Sequence, residues 1–128
     1  MSELFDNVSW IGVIIGTVLS FLLGWLWYSP KLFGTGWAKG IGVELGAASS
    51  MPVAAMVTQL LATFLLAWIV GITAAQNALA TAILIAIMVM LFIVSNGLFA
   101  KKSSYAIQVE AGFIAAMTVV MVVVQAIF

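Results

Sequence analysis

Glu110 is the residue of this chain with the clearest capacity for chemistry, because it is the one ionisable side chain inside a long apolar stretch. A charge in hydrocarbon costs a few kcal/mol, so such a carboxylate indicates proton or ligand binding unless an ion pair explains it. Glu110 lies only about 6 Å inside its predicted span, near a helix N-terminus that favours negative charge. We therefore expect a structural carboxylate that either extends to the membrane surface or pairs with Lys31, Lys39 or Lys101, with a ligand or proton role as the alternative.

Three further polar residues fall in the same half of the predicted spans as Glu110. They are Ser20, Gln59 and Asn96. Together the four form a candidate polar cluster, which we interpret either as interhelical hydrogen bonding or as a small pocket for a headgroup, an ion or an amphipathic molecule. The other half of each span carries few polar side chains, so no continuous hydrophilic path is predicted, which argues against a simple channel.

The residue inventory argues against catalysis. The chain contains no histidine and no cysteine, and a single carboxylate within the spans cannot form a paired acid/base site, a metal centre or an activated nucleophile of the usual kinds. Gly34, Gly36 and Gly40 lack the lysine and hydroxyl spacing of a phosphate-binding loop. We predict no catalytic residue, no metal and no cofactor, and the zero net charge also argues against a nucleic-acid partner.

The elements that must position these residues follow from composition. Of the 128 residues, 66% are hydrophobic and 6% charged, whereas soluble domains carry about 25% charged residues. Four apolar stretches reach the roughly 20 residues that a membrane-spanning helix needs, at about residues 8–28, 52–71, 78–100 and 106–128. Continuous apolar runs exclude the alternation of a membrane β-barrel. The predicted fold is an all-α, single-domain, four-helix transmembrane bundle.

The connections between these spans predict an interfacial element and an orientation. Residues 29–51 combine aromatic side chains, lysines and glycines, which is typical of a short element lying in the headgroup layer between the first two spans. An aromatic belt is expected there: Trp25, Trp27, Tyr28 and Trp37. The polar residues Thr73, Gln76 and Asn77 predict the turn between the second and third spans.

All four lysines fall in the connections after the first and third spans. The positive-inside rule makes that side cytoplasmic, so both termini are expected outside the cytoplasm. The N-terminal segment lacks a basic region and a convincing cleavage site, and is expected to be a retained first span.

Small residues recur every four positions along two spans. The first stripe consists of Gly12, Gly16, Ser20 and Gly24, and the second of Ala78, Ala82 and Ala86, continued by Gly97. Such stripes allow helices to approach closely. We interpret them either as packing within one bundle or as a subunit interface.

The stretch GWLWYSPKLFGTGWAKGIG, residues 24–42, resembles the signature of a bacterial membrane family known as domain of unknown function 1761 (DUF1761). Similar members also carry an Asn-x-x-Phe, basic residues and an Ala-Gly pair, which match Asn96, Phe99, Lys101 with Lys102, and Ala111 with Gly112. Glu110 and Phe113 stand where members are expected to carry Asn or Asp and Tyr. The resemblance implies four spans in a bacterial membrane and supplies no activity.

Two functional interpretations follow. The first is a non-catalytic structural, scaffold or accessory component of the cell membrane, surrounded by lipid and acting as a homo-oligomer or within a larger membrane complex. The alternative is a small oligomeric transporter of an ion or amphipathic small molecule that uses Glu110. The lack of a charge at mid-membrane favours the first interpretation.

Overall fold

The computed structural model describes residues 2–42 and 53–128. Five α-helices follow a short 3₁₀ turn, Ser2–Leu4: α1 is Trp10–Trp27, α2 is Gly34–Ile41, α3 is Val53–Ala75, α4 is Leu79–Phe99 and α5 is Ser104–Ile127. Pro52 and the second half of the predicted interfacial connection, 43–51, lie outside the described residues. The described chain contains no strand.

The predicted all-α architecture is confirmed. Within the described ranges, α1, α3, α4 and α5 are each long and apolar enough to cross a membrane, with lengths of 18 to 24 residues. The short helix α2 lies between the first two of them, where the sequence predicted an interfacial element. Within a continuous helix the internal backbone N–H and C=O groups are paired with one another, as they must be in hydrocarbon, where no water can bond them.

The second spanning helix is longer than predicted. It continues to Ala75, so that Gly71 lies within the helix at a close-packing position: an added Cβ would lie 2.9 Å from the Val13 side chain. Thr73, expected in the turn, is helical and buried, and its hydroxyl donates to the Val70 carbonyl at 3.0 Å. The helix ends where Asn77 adopts a left-handed conformation, φ 55°.

Helix α5 occupies the centre of the bundle and packs against each of the other four helices. In its most apolar stretch 44% of the residues are buried, against 17% in α4. The core combines its side chains Phe113, Met117 and Met121 with Val13 of α1 and Val70 of α3. The outer faces of the helices carry large exposed apolar side chains, as expected of surfaces in contact with lipid.

The stripe on α1 faces α5 of the same chain. A Cβ on Gly16 would lie 3.5 Å from Cγ of Met121, and a Cβ on Gly24 would lie 3.0 Å from Cζ of Phe113. A Cβ on Gly12 would lie 2.7 Å from Nε2 of Gln125. Gly12, Gly16 and Gly24 of the stripe therefore pack closely against α5 of the same chain.

The second stripe serves the contact between α4 and α5. Ala82 and Ala86 are buried, and a Cβ on Gly97 would lie 2.6 Å from Cγ1 of Ile107. Ala78, which begins the predicted stripe, is half-buried and directly precedes α4.

The bundle has two chemically different ends. One end, here called the lysine end, is formed by the C-terminal ends of α1 and α4, the N-terminal ends of α3 and α5, and helix α2. It carries all four lysines. At the opposite end, Glu3 and Asp6 precede α1, and the indole N–H of Trp68 donates to the Leu4 carbonyl at 2.7 Å. The lysines are thus confined to one end of the bundle, and Glu3 and Asp6 lie at the other.

A tight turn joins α4 to α5 at the lysine end. Lys101 adopts a left-handed conformation, φ 58°, and the Lys102 N–H donates to the Gly97 carbonyl at 3.0 Å, which is the hydrogen-bond pattern of a Schellman motif. Ser103 then caps α5, its hydroxyl accepting from the Ala106 N–H at 3.1 Å. This turn places Lys102 immediately before the capping residue.

Candidate functional site

Glu110 forms an ion pair with Lys102. The Lys102 ammonium lies 2.9 Å from Oε1 and 3.0 Å from Oε2 of Glu110, and the indole N–H of Trp37 donates to Oε2 at 2.9 Å. The expectation that a lysine neutralises Glu110 is met, but the lysine is neither Lys31, Lys39 nor Lys101. We call the group Glu110, Lys102 and Trp37 the clasp.

The partner of Glu110 differs from prediction because of the turn between α4 and α5. Lys101 occupies its left-handed position and its side chain is exposed, whereas Lys102 follows the turn and is only 31% exposed. The sequence signal for this geometry is Ser103, a preferred capping residue directly before the apolar run of α5. That signal locates the start of α5, and Lys102 is the lysine that directly precedes the capping residue.

Helix α2 brings Trp37 to Glu110, and glycines allow α2 to approach α5. A Cβ on Gly40 would collide with Oγ of Ser103 and would lie 2.8 Å from Cβ of Ala106. A Cβ on Gly36 would lie 2.5 Å from the Tyr105 ring. The glycine-rich motif is thus a helix-packing surface.

Three of the four residues predicted as an aromatic belt are packed together with Phe113: Trp27, Tyr28 and the clasp residue Trp37. Tyr28 contacts Trp37 edge-on, with ring centroids 4.8 Å apart, and also Phe113 at 5.4 Å. Trp27 packs against Phe113 at 6.0 Å. Trp25 alone among the four projects outward, with 65% of its surface exposed. The aromatic residues therefore serve chiefly to join α1, α2 and α5.

Tyr28 follows α1 directly and lies within the electrostatic field of Glu110. Burial, and secondarily the Glu110 carboxylate, raise the pKa of the Tyr28 hydroxyl well above its usual range. The hydroxyl is therefore neutral throughout the physiological pH range.

A groove of about 200 Å³ lies beside Trp27. It is lined by Trp27, Phe33, Tyr105, Gln108 and Val109. The Trp27 indole N–H donates to the Val109 carbonyl at 2.9 Å, and the Trp27 and Phe33 rings lie 4.7 Å apart. These contacts hold the aromatic wall of the groove in place.

The clasp, the packed aromatic cluster and helix α2 all lie within a segment that one protein-family model matches. A family model described as protein of unknown function (DUF1761) matches residues 11–126. The chain belongs to this family. No curated protein and no solved structure matches it. In this DUF1761 protein the motif of residues 24–42 supplies the end of α1, the turn after it and helix α2.

The remaining members of the predicted polar cluster do not join the clasp. Gln59 and Asn96 are exposed, and their side chains make no hydrogen bond to any described residue. Ser20 is fully buried on α1, and its hydroxyl has no hydrogen-bond partner in the described part of the chain. Residues in the same half of their spans need not point in the same direction around each helix axis, so the sequence did not predict which of them would meet.

The clasp is a neutralised, hydrogen-bonded carboxylate. Both oxygens of Glu110 accept from the Lys102 ammonium, and Oε2 accepts a second bond from Trp37. The geometry therefore joins α2, the turn after α4, and α5 at one point.

Proposed function

We propose that this DUF1761 protein is a non-catalytic structural, scaffold or accessory component of the cell membrane. The observation that carries the proposal is the ion pair of Glu110 with Lys102, together with the hydrogen bond that Glu110 accepts from Trp37. A coupling carboxylate of a transporter alternates between bound and free states, whereas this one holds three elements of the chain together. The lipid bilayer is its principal partner, and nucleic acid is not among its partners.

We place the protein in a bacterial inner membrane, with the lysine end in the cytoplasm. The segregation of the four lysines from Glu3 and Asp6 supports this orientation under the positive-inside rule. The start of α1 and the end of α5 then face away from the cytoplasm.

The absence of cysteine from the chain makes this orientation directly measurable. Single cysteines are introduced as Asp6→Cys and Lys39→Cys and labelled with a membrane-impermeant maleimide in intact spheroplasts. Asp6→Cys should react and Lys39→Cys should react only after permeabilisation. The reverse pattern would invert the orientation.

Self-association is the second part of the proposal, and it uses the outward face of α4. Leu91, Val94, Ser95 and Leu98 line a groove there. Their spacing of i, i+3, i+4 and i+7 is that of the four-residue hole that accepts a knob from a facing helix. Because the α1 stripe is occupied by α5, a second copy would use this face.

Oxidative cross-linking tests that contact. Ser95→Cys should form a disulfide-linked dimer in native membranes, whereas Val119→Cys, which is also exposed but on α5, should not. Equal cross-linking at both positions would indicate random collision and contradict the proposed face.

Flux and stability measurements distinguish the scaffold from the alternative of a small transporter that uses Glu110. Wild type, Glu110→Gln, Lys102→Gln and the double variant are compared in proteoliposomes for proton and tetraphenylphosphonium flux, and in detergent for thermal unfolding. We expect background flux in all four, lower stability in each single variant, and a double variant less destabilised than the sum of the two. Lys101→Gln, which removes an exposed neighbouring charge, should not couple to Glu110→Gln.

Wild-type flux that Glu110→Gln abolishes would overturn the scaffold proposal in favour of transport. Additive stability losses in the double variant would instead contradict the structural role of the ion pair. The two failures are therefore distinguishable.

A further inference from the structure

We propose that the groove beside Trp27 is a binding site for one anionic phospholipid. The groove is bounded by three aromatic residues from three different parts of the chain, Trp27 of α1, Phe33 of the following turn and Tyr105 of α5, with Gln108 and Val109 completing it. This inference depends on the membrane location of the protein and not on its scaffold role.

The position of the groove suits the junction between headgroup and acyl chain. It lies at the lysine end, within the first two turns of α5 and at the last residue of α1, where a span leaves the hydrocarbon. Aromatic side chains are enriched at this depth because their rings are apolar and their polar atoms can reach the headgroup layer.

The apolar side of the groove continues along the surface of α5. Val119 lies three helical turns beyond Gln108 on the same face and is 62% exposed. Leu22 and Leu26 of α1, on the neighbouring helix, are also exposed. Exposed apolar side chains for an acyl chain leaving the groove are thus present on both α5 and α1.

The polar side of the groove offers donors suited to the ester region of a lipid. Gln108 uses one amide N–H to bond Oγ of Ser104 at 3.1 Å, which leaves its second N–H available. The Tyr105 hydroxyl makes no hydrogen bond within residues 2–42 and 53–128, and the side chain is 48% exposed. Ester carbonyls are acceptors only, so both groups can bind them.

Charge selects an anionic headgroup over a zwitterionic one. Lys31 lies two residues before Phe33 in the turn that borders the groove, is exposed, and forms no ion pair with a described residue. Among the described residues the lysine end carries four lysines against Glu110, so its net charge is positive. Near a membrane surface one such lysine changes the affinity for anionic lipid about fivefold.

Native mass spectrometry of the intact protein tests the site with two probes of identical chains, dioleoyl phosphatidylglycerol and dioleoyl phosphatidylcholine. We expect one phosphatidylglycerol to bind the wild type at least fivefold more tightly than phosphatidylcholine. Lys31→Gln should remove most of that preference, and Lys39→Gln, a matched change on α2, should leave it. Gln108→Trp, which fills the groove from an exposed position, should weaken both lipids while the melting temperature in lipid-free detergent stays unchanged.

Equal binding of the two lipids to the wild type would overturn the anionic selectivity. Equal losses in Lys31→Gln and Lys39→Gln would show diffuse attraction to the lysine end instead of a site. Unchanged lipid binding in a folded Gln108→Trp variant would place the lipid elsewhere. None of these results depends on flux or on self-association, so the lipid site and the scaffold proposal are tested independently.

Discussion

The indole N–H of Trp37 on α2 donates to Oε2 of Glu110 on α5 at 2.9 Å, joining residues 73 positions apart in the chain. This bond connects the short helix to the most buried spanning helix at the lysine end. Because its acceptor is a carboxylate that also holds Lys102, loss of the donor affects both the attachment of α2 and the ion pair.

Replacing Trp37 with Phe tests that connection. The change keeps a ring against Tyr28 and removes the N–H donor, so we expect a loss of about 1.5 to 3 kcal/mol, the range for a hydrogen bond to a charged group. Thermal unfolding in detergent measures it. Trp25→Phe, at an exposed position on α1, is the control and should melt as wild type does. A Trp37→Phe variant as stable as the control would show that the bond contributes nothing.

Gly40→Ala should detach α2 from the start of α5. The added methyl would collide with Oγ of Ser103, which already accepts the capping bond from Ala106 N–H, so α2 must move away or the cap must break. Loss of a cap alone costs about 1 kcal/mol. Hydrogen exchange across Gly34–Ile41 should accelerate. Gly112→Ala, whose Cβ would lie at an ordinary 3.5 Å from Cζ2 of Trp27, should leave exchange unchanged.

Gly16→Leu should destabilise the bundle of a single chain. The α1 stripe faces α5, and a leucine there would extend into Met121 and overpack the contact by about 1 to 3 kcal/mol or more. Gly16→Ala, whose Cβ would lie 3.5 Å from Cγ of Met121, should be close to neutral. Melting temperature and light scattering separate the effects: a lower melting temperature with unaltered oligomer size is expected. A changed oligomer with unchanged melting would mean that the stripe is a subunit interface.

Ser20→Ala should leave the protein as stable as wild type or make it more stable. The hydroxyl is fully buried without a hydrogen-bond partner among the described residues, and an unsatisfied buried polar group costs about 1 to 3 kcal/mol. Thr17→Ala is the comparison, because the Thr17 hydroxyl donates to the Val13 carbonyl at 2.7 Å. Chemical denaturation in detergent should rank Ser20→Ala at or above wild type. A marked loss in Ser20→Ala would reveal a partner for this hydroxyl.

The sequence alone determined the helical architecture, the number of spanning segments and the segregation of lysines to one end. These properties depend on local runs: hydrocarbon requires about 20 apolar residues per helix, and a turn needs polar residues such as Asn77. The position of Glu110 near the start of the fourth spanning helix followed in the same way, because distance along a helix is proportional to residue number.

Only the tertiary structure decided which residues meet. Lys102 and not Lys101 pairs with Glu110, because the left-handed turn at Lys101 sets where α5 begins. Gln59 and Asn96 are exposed although they were predicted in the same half of the spans as Glu110. Contacts between helices depend on the rotation of each helix about its axis and on which neighbours pack beside it. Those quantities arise from long-range packing that no local pattern of residues specifies.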